Sequence, residues 1–189
     1  MTSITEYENL AVAEGYDFSF KTIADIGGGH GGLLANILTS YSTAHGILFD
    51  TAPVIEQAQE RFLPQLRERI NFIAGSFFES VPVGGDVYLL KNILHNWPDE
   101  QCVTLLQNCR RAIASRGKIL VIEHVIPQTN DPDQAETFFI DLIMLAMFGG
   151  YERSERQMEQ LYAKAGLRLT RLIATEAPGI YLIEGVAAS

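Results

Sequence analysis

The sequence predicts an α/β fold: one doubly wound, mostly parallel β-sheet with helices on both faces and a reversed last strand. Three observations carry this. Short apolar runs alternate with helix-like segments along most of the chain. A glycine-rich turn, Gly27 to Gly32, joins the first of these runs to the helix after it. The last two runs are separated only by a turn around Pro178-Gly179, which makes them a hairpin. With 189 residues and 47% hydrophobic content, the chain suffices for one well-buried domain and is short for two.

Ile4 to Ala13 reads as a helix leading into Tyr16-Asp17-Phe18, so residues 1–21 are expected to be a lead-in and 22–189 the domain. Strands are expected at Thr22–Ile26, His45–Phe49, Ile70–Ala74, Val87–Lys91 and Lys118–His124. Their nearly continuous apolar character suits parallel strands covered on both faces. Helices open near Gly31, Pro53 and Asp99. The last runs from Asp99 to Ala114, with Asp99 and Glu100 at its positive end, Arg110 and Arg111 near its negative end, and Gly117 closing the turn. Residues 128–133 form a turn-rich loop before an apolar helix from Gln134 to Met147. Another helix, Ser154 to Ala165, begins with a capping-box pattern from Ser154 to Gln157 and stops at Gly166. Leu167–Thr175 and Gly179–Gly185 complete seven strands.

The charge balance excludes several partners. Fourteen basic residues stand against 23 acidic ones, for a net charge of −9 and a pI near 4.9. With no basic run, nucleic acid and anionic membrane surfaces are repelled. Cys102 and Cys109 lie seven residues apart on one expected helix, about 10 Å between Cα atoms, too far for a disulfide. They read as packing positions in a reducing compartment. The N-terminus has no basic-then-apolar order, and the apolar stretch Phe138–Phe148 is interrupted by Asp141 and too short to span a bilayer. A cytoplasmic protein is expected.

The chemistry concentrates at Asp25-Ile26-Gly27-Gly28-Gly29-His30-Gly31-Gly32. Glycines between a strand and a helix let backbone N–H groups face a ligand where side chains would obstruct it. Gly27, Gly29 and Gly32 satisfy the dinucleotide spacing G-x-G-x-x-G, and Asp50 ends the second strand where a ribose-binding carboxylate is expected. The spacing alone leaves nicotinamide dinucleotides and S-adenosylmethionine both open. Asp25 favours the second, because a carboxylate two residues before the first glycine repels a pyrophosphate and suits an ammonium.

Six ordered motifs then resemble one family: Asp25–Gly32, Phe49-Asp50-Thr51-Ala52-Pro53-Val54, Gly75-Ser76-Phe77-Phe78, Leu90 to Asp99, Ile122-Glu123, and Gly149-Gly150-Tyr151-Glu152-Arg153. From about Tyr16 to Gly185 the chain is similar to the catalytic domain of the small-molecule O-methyltransferases of the caffeate, acetylserotonin and hydroxyneurosporene type. The resemblance implies a Rossmann-like class I methyltransferase fold. It implies S-adenosylmethionine as cofactor, no metal, and a small aromatic or polyketide-like hydroxyl acceptor. It implies that Asp25, Gly27, Gly28 and Gly29 hold the methionine portion, Asp50 the ribose hydroxyls, Ser76 and Phe77 the adenine, and that Lys91 lies near the cofactor. His95 matches the general base, and Glu123 and Glu152 match the acids flanking it. Trp97 reads as a packing residue.

Two departures stand out. The family usually has aspartate at the position of Ser76, and a hydroxyl accepts the adenine's bond more weakly. The family also carries an N-terminal helical domain that dimerises, so a homodimer is expected to be weakened here. Without that domain, Phe138, Phe139, Ile143, Met144 and Met147 are expected to be exposed or to pair with another copy. The alternatives are a cofactor-binding module without turnover or a nicotinamide-dependent oxidoreductase; the latter is disfavoured by the lack of a Tyr-x-x-x-Lys pair.

Overall fold

The computed structural model describes residues 4–19, 21–126 and 152–188. The loop at 128–133, the helix expected from Gln134 to Met147 and Gly149-Gly150-Tyr151 lie outside the described residues.

The expected strands form at β1 (Thr22–Ile26), β2 (His45–Asp50), β3 (Ile70–Ala74), β4 (Val87–Lys91), β5 (Lys118–Ile126), β7 (Leu167–Ala174) and β8 (Ile180–Ala187). An eighth, β6 (Arg153–Ser154), was not expected, since two polar residues carry no period-2 signal. The order is β3-β2-β1-β4-β5-β8-β7, with β6 pairing β5 off this path. All pairs are parallel except β5 with β8 and β7 with β8, so only β8 is reversed. The strand order turns back between β1 and β4, where the carboxyl ends of the strands open a crevice.

Alternation along β1 separates two apolar layers. Ile23 faces α1 (Ile4–Glu14), α2 (Gly32–Ser40), α3 (Ala52–Arg61) and α4 (Pro64–Arg67), packing with Val12, Leu34, Ile55 and Leu66. Ala24 and Ile26 face α5 (Asp99–Ala112) and α6 (Glu155–Lys164), packing with Cys102, Leu105, Met158 and Leu161. The expected lead-in helix is therefore packed on α2, with Ala11, Val12 and Ala13 buried.

The charged ends of α5 are as expected, though it stops at Ala112 rather than Ala114. At α6 the capping box closes: the Gln157 N–H donates to Ser154 Oγ, and the Ser154 N–H donates to Gln157 Oε1 at 2.8 Å. Cys102 and Cys109 are buried free thiols. Glu184 on β8 is buried, where its carboxylate accepts from Tyr16 Oη at 2.9 Å, Lys118 Nζ at 2.7 Å, Arg171 Nη2 at 2.7 Å and Thr170 Oγ1 at 2.7 Å. Among the described residues, no helix is long and apolar enough to cross a membrane.

Candidate active site

The glycine turn folds back over the end of β1. Gly27 has φ +68°, and a Cβ there would meet Ile93 Cδ1 at 2.7 Å. At Gly28 a Cβ would lie 2.6 Å from Asp25 Oδ2. Here glycine is required for the backbone to close over a carboxylate. Asp50 fastens the turn to β2: its Oδ2 accepts from the Gly29 N–H at 2.9 Å and its Oδ1 from the Thr51 N–H at 2.7 Å.

Beside this turn lies a cavity of about 300 Å³, whose lining includes Thr5, Asn9, Asp25, Gly28, Gly29 and Lys91. Gly27 also borders it, whereas Asp50, Ser76 and Phe77 stand at the adjoining ends of β2 and β3. Asp25 is 2% exposed, and its Oδ2 has no hydrogen-bond partner among the described residues. Burial pushes its carboxyl up to about 7; Lys91 opposes that rise and Asp50 adds to it. A buried carboxylate oxygen without a donor, on a residue that lines a cavity, is chemically suited to a cationic ligand group. Lys91 Nζ donates to Glu8 Oε2 at 2.8 Å, so α1 supplies part of the cavity wall and holds the lysine. Sequence reasoning missed Thr5, Glu8 and Asn9, because a helix's place over a distant strand end leaves no local signal.

The turn after β3 presents Ser76 and Phe77. Ser76 Oγ accepts from the Phe78 N–H at 3.4 Å, and the Phe77 carbonyl is held by Asn108 Nδ2 at 2.8 Å. Phe77 borders the glycine turn, its Cε1 3.4 Å from a Cβ built on Gly27. Trp97 packs on these aromatics, edge-on to Phe78 with ring centroids 4.8 Å apart.

Beyond Lys91, β4 ends in a tight turn. Asn92 adopts φ +56°, and its carbonyl accepts from Asn96 Nδ2 at 3.1 Å. The turn continues as a 3-10 helix, Leu94–Asn96, that carries His95. His95 Nδ1 lies 3.3 Å from Glu152 Oε1, and its backbone N–H donates to Glu123 Oε1 at 3.0 Å. Both acids are buried. Burial by itself lowers the imidazole pKa, but the hydrogen bond that Glu152 accepts and the charges of Glu123 and Glu152 outweigh it, and the net direction is upward. Burial likewise raises Glu123 to about 7, against the opposing pull of His95. Among the described residues His95 Nε2 has no hydrogen-bond partner, which leaves it available to receive a proton.

Arg153, adjacent to Glu152, escaped sequence reasoning as anything but a motif member. It is 1% exposed. Its Nη1 donates to the Leu94 carbonyl at 3.0 Å and its Nη2 to the Trp97 carbonyl at 2.9 Å. Its Nε and Nη2 reach Asp99 Oδ1 at 3.1 and 2.9 Å.

Residues 1–168 match the profile of the O-methyltransferase domain. The phenazine O-methyltransferase PhzM of Lysobacter antibioticus is 41% identical over 176 residues, covering 92% of this chain and 51% of that protein. Among solved structures, CalO1, a methyltransferase in calicheamicin biosynthesis in its SAH-bound form, superposes with a TM-score of 0.90 at 38% identity. The match covers 98% of this chain and 54% of that one. NcsB1, an O-methyltransferase from neocarzinostatin biosynthesis in complex with S-adenosyl-L-homocysteine and 1,4-dihydroxy-2-naphthoic acid, superposes with a TM-score of 0.81 at 34% identity. There the match covers 93% and 52%. The chain spans about half the length of these proteins.

Proposed function

The chain belongs to the O-methyltransferase family, and from that premise we propose that it transfers the methyl group of S-adenosylmethionine to a hydroxyl of a flat aromatic or polyketide-like molecule, with His95 as general base. The observation that carries this reading is His95 held by two buried carboxylates, Glu152 at the imidazole and Glu123 at the backbone N–H, one turn after the lysine that lines the glycine-turn cavity.

The residues fit the cofactor. Asp25 offers an unpartnered buried oxygen to its ammonium, and the glycines keep the backbone clear. Asp50 has further lone pairs for a ribose diol, and Ser76 and Phe77 would border the adenine. Bound there, S-adenosylmethionine supplies an electrophilic methyl group on a sulfonium. The chain's own work is to hold and deprotonate the acceptor. Glu152 at Nδ1 favours the tautomer protonated on that nitrogen, so Nε2 takes the hydroxyl proton. The same carboxylate then steadies the imidazolium. Glu123 anchors the His95 backbone and adds negative charge behind it. NcsB1's complex with a dihydroxynaphthoic acid supports a planar phenolic acceptor.

The test pairs binding with turnover. In His95→Gln, calorimetry is expected to give unchanged S-adenosylhomocysteine affinity, while methylation of 1,4-dihydroxy-2-naphthoic acid falls by at least about a hundredfold. Full activity in that variant removes the base assignment. Binding of nicotinamide dinucleotides in preference to S-adenosylhomocysteine overturns the cofactor.

A further inference from the structure

We infer that Arg153 is a positioning residue for His95, fixing the 3-10 turn that carries the imidazole so that the ring meets the acceptor in one orientation; this rests on the reading of His95 as general base. The two carbonyls that the guanidinium binds, Leu94 and Trp97, bracket His95 in sequence. A short 3-10 helix has few internal hydrogen bonds to hold it. The Trp97 N–H donates to the Leu94 carbonyl at 3.1 Å, and the Cys102 thiol, a weak donor, reaches the Leu94 and Trp97 carbonyls at 3.3 Å each, so a strong donor for both has to come from outside the turn. Arg153 supplies it with a planar fork of donors, itself locked by Asp99 at the start of α5.

The chain delivers Glu152 and Arg153 together. β6 pairs in parallel with the end of β5, Val125 opposite Arg153, two residues beyond Glu123. Glu152, just before β6, and Arg153, its first residue, thus reach the same turn, Glu152 at the imidazole and Arg153 at the carbonyls on either side. Glu123, from β5, takes the backbone N–H between them. The position of His95 is set from three directions by groups buried in one sheet end.

Electrostatics follow the same geometry. The charged groups facing His95 are Glu123, Glu152 and Arg153; the carboxylates raise its pKa and the guanidinium lowers it. Loss of the positive charge therefore moves the imidazole's titration to higher pH.

The experiment compares Arg153→Lys, Arg153→Met and Asp99→Asn in this chain, reading S-adenosylhomocysteine affinity by calorimetry, methylation of 1,4-dihydroxy-2-naphthoic acid, and the His95 ring proton titration by NMR, assigned with His95→Gln. Lysine keeps the charge but cannot span both carbonyls, so kcat is expected to fall about a hundredfold, the cost of misplacing a reacting group by about 1 Å. KM, cofactor affinity and the titration midpoint stay near wild type. Arg153→Met is expected to shift the midpoint upward. Asp99→Asn loosens the fork and lowers kcat about tenfold; it carries the test with Arg153→Lys if Arg153→Met fails to fold. A kcat in Arg153→Lys within about twofold of wild type overturns the inference. So does an Arg153→Met variant whose activity is lost only in proportion to cofactor-binding protein and whose His95 titration is unmoved. Wild-type chain that methylates no phenolic acceptor refutes the proposed function instead, and the titration still decides whether Arg153 is coupled to His95.

Discussion

As the proposed seat of the cofactor's ammonium, Asp25 should link cofactor binding to pH. Its carboxyl is buried, lacks a donor at Oδ2 and is pushed up to about 7 by that burial. An ammonium bound there requires the carboxylate, so affinity should follow the ionised fraction: about half its limiting value near pH 7, then falling roughly tenfold for each unit below. Asp25→Asn should lose about ten- to a hundredfold at about pH 8, the scale of a charged hydrogen bond, and should bind with little pH dependence. Stability of the cofactor-free chain runs the other way. The folded-state pKa lies above the unfolded value, so the folded chain binds the extra proton and stability is lost as pH rises from about 4 to about 7. The full cost above that window is on the order of 4 kcal/mol. Asp25→Asn should accordingly melt higher than wild type at about pH 8 while binding more weakly. Calorimetric titration with S-adenosylhomocysteine between about pH 5.5 and 8.5, with thermal melts of the free protein, measures both. Wild-type affinity that stays flat through this range would show that the carboxyl is already ionised or does not meet the ligand.

Other residues give independent checks. Asp50→Ala should weaken S-adenosylhomocysteine at least about tenfold by calorimetry, since it removes a charged acceptor and unfastens the Gly29 N–H; unchanged affinity excludes Asp50 from the cofactor site. Ser76→Asp should tighten the same ligand several-fold by restoring a charged acceptor, and weaker binding by a folded variant would place the adenine elsewhere. Glu184 tests the fold away from the site. Burial raises its pKa, but Arg171, Lys118, Thr170 and Tyr16 together bring it down to about 2. Its stabilisation is thus present above the ordinary glutamate value and disappears as pH falls toward 2. Glu184→Gln should lower Tm at neutral pH, with the difference from wild type shrinking in acid; a constant difference would rule out the ionic origin.

The fold was legible where local chemistry and tertiary demand coincide. β1, β3 and β4 begin and end at their expected residues, because continuous apolar runs bounded by glycine, proline or charge have few other uses in an α/β chain. Ser154 and Gln157 announced α6, since a capping box satisfies the same backbone groups in any surroundings. What stayed hidden depends on distance in sequence. β6 exists only because Arg153 is drawn beside Val125. Glu8 meets Lys91 across 83 residues. Asp25, His95, Glu123 and Glu152 were named from motifs, but their burial and the division of labour, Glu152 at the ring and Glu123 at the backbone, came only with the packed sheet. The motifs carried residue types, and packing supplied the electrostatics.

The pairing of β6 with β5 also bears on where the chain can accept exchanged sequence. The chain leaves the sheet at Ile126 and is back beside that same residue at Ser154, Ile126 and Ser154 being register partners. Residues 127–151 connect these two paired points in sequence, and Glu152 and Arg153 stand on the return. A graft that replaces only residues 127–151 keeps these register partners, and with them Glu152 and Arg153, in the chain. The natural seams for such a graft are residues 126 and 152.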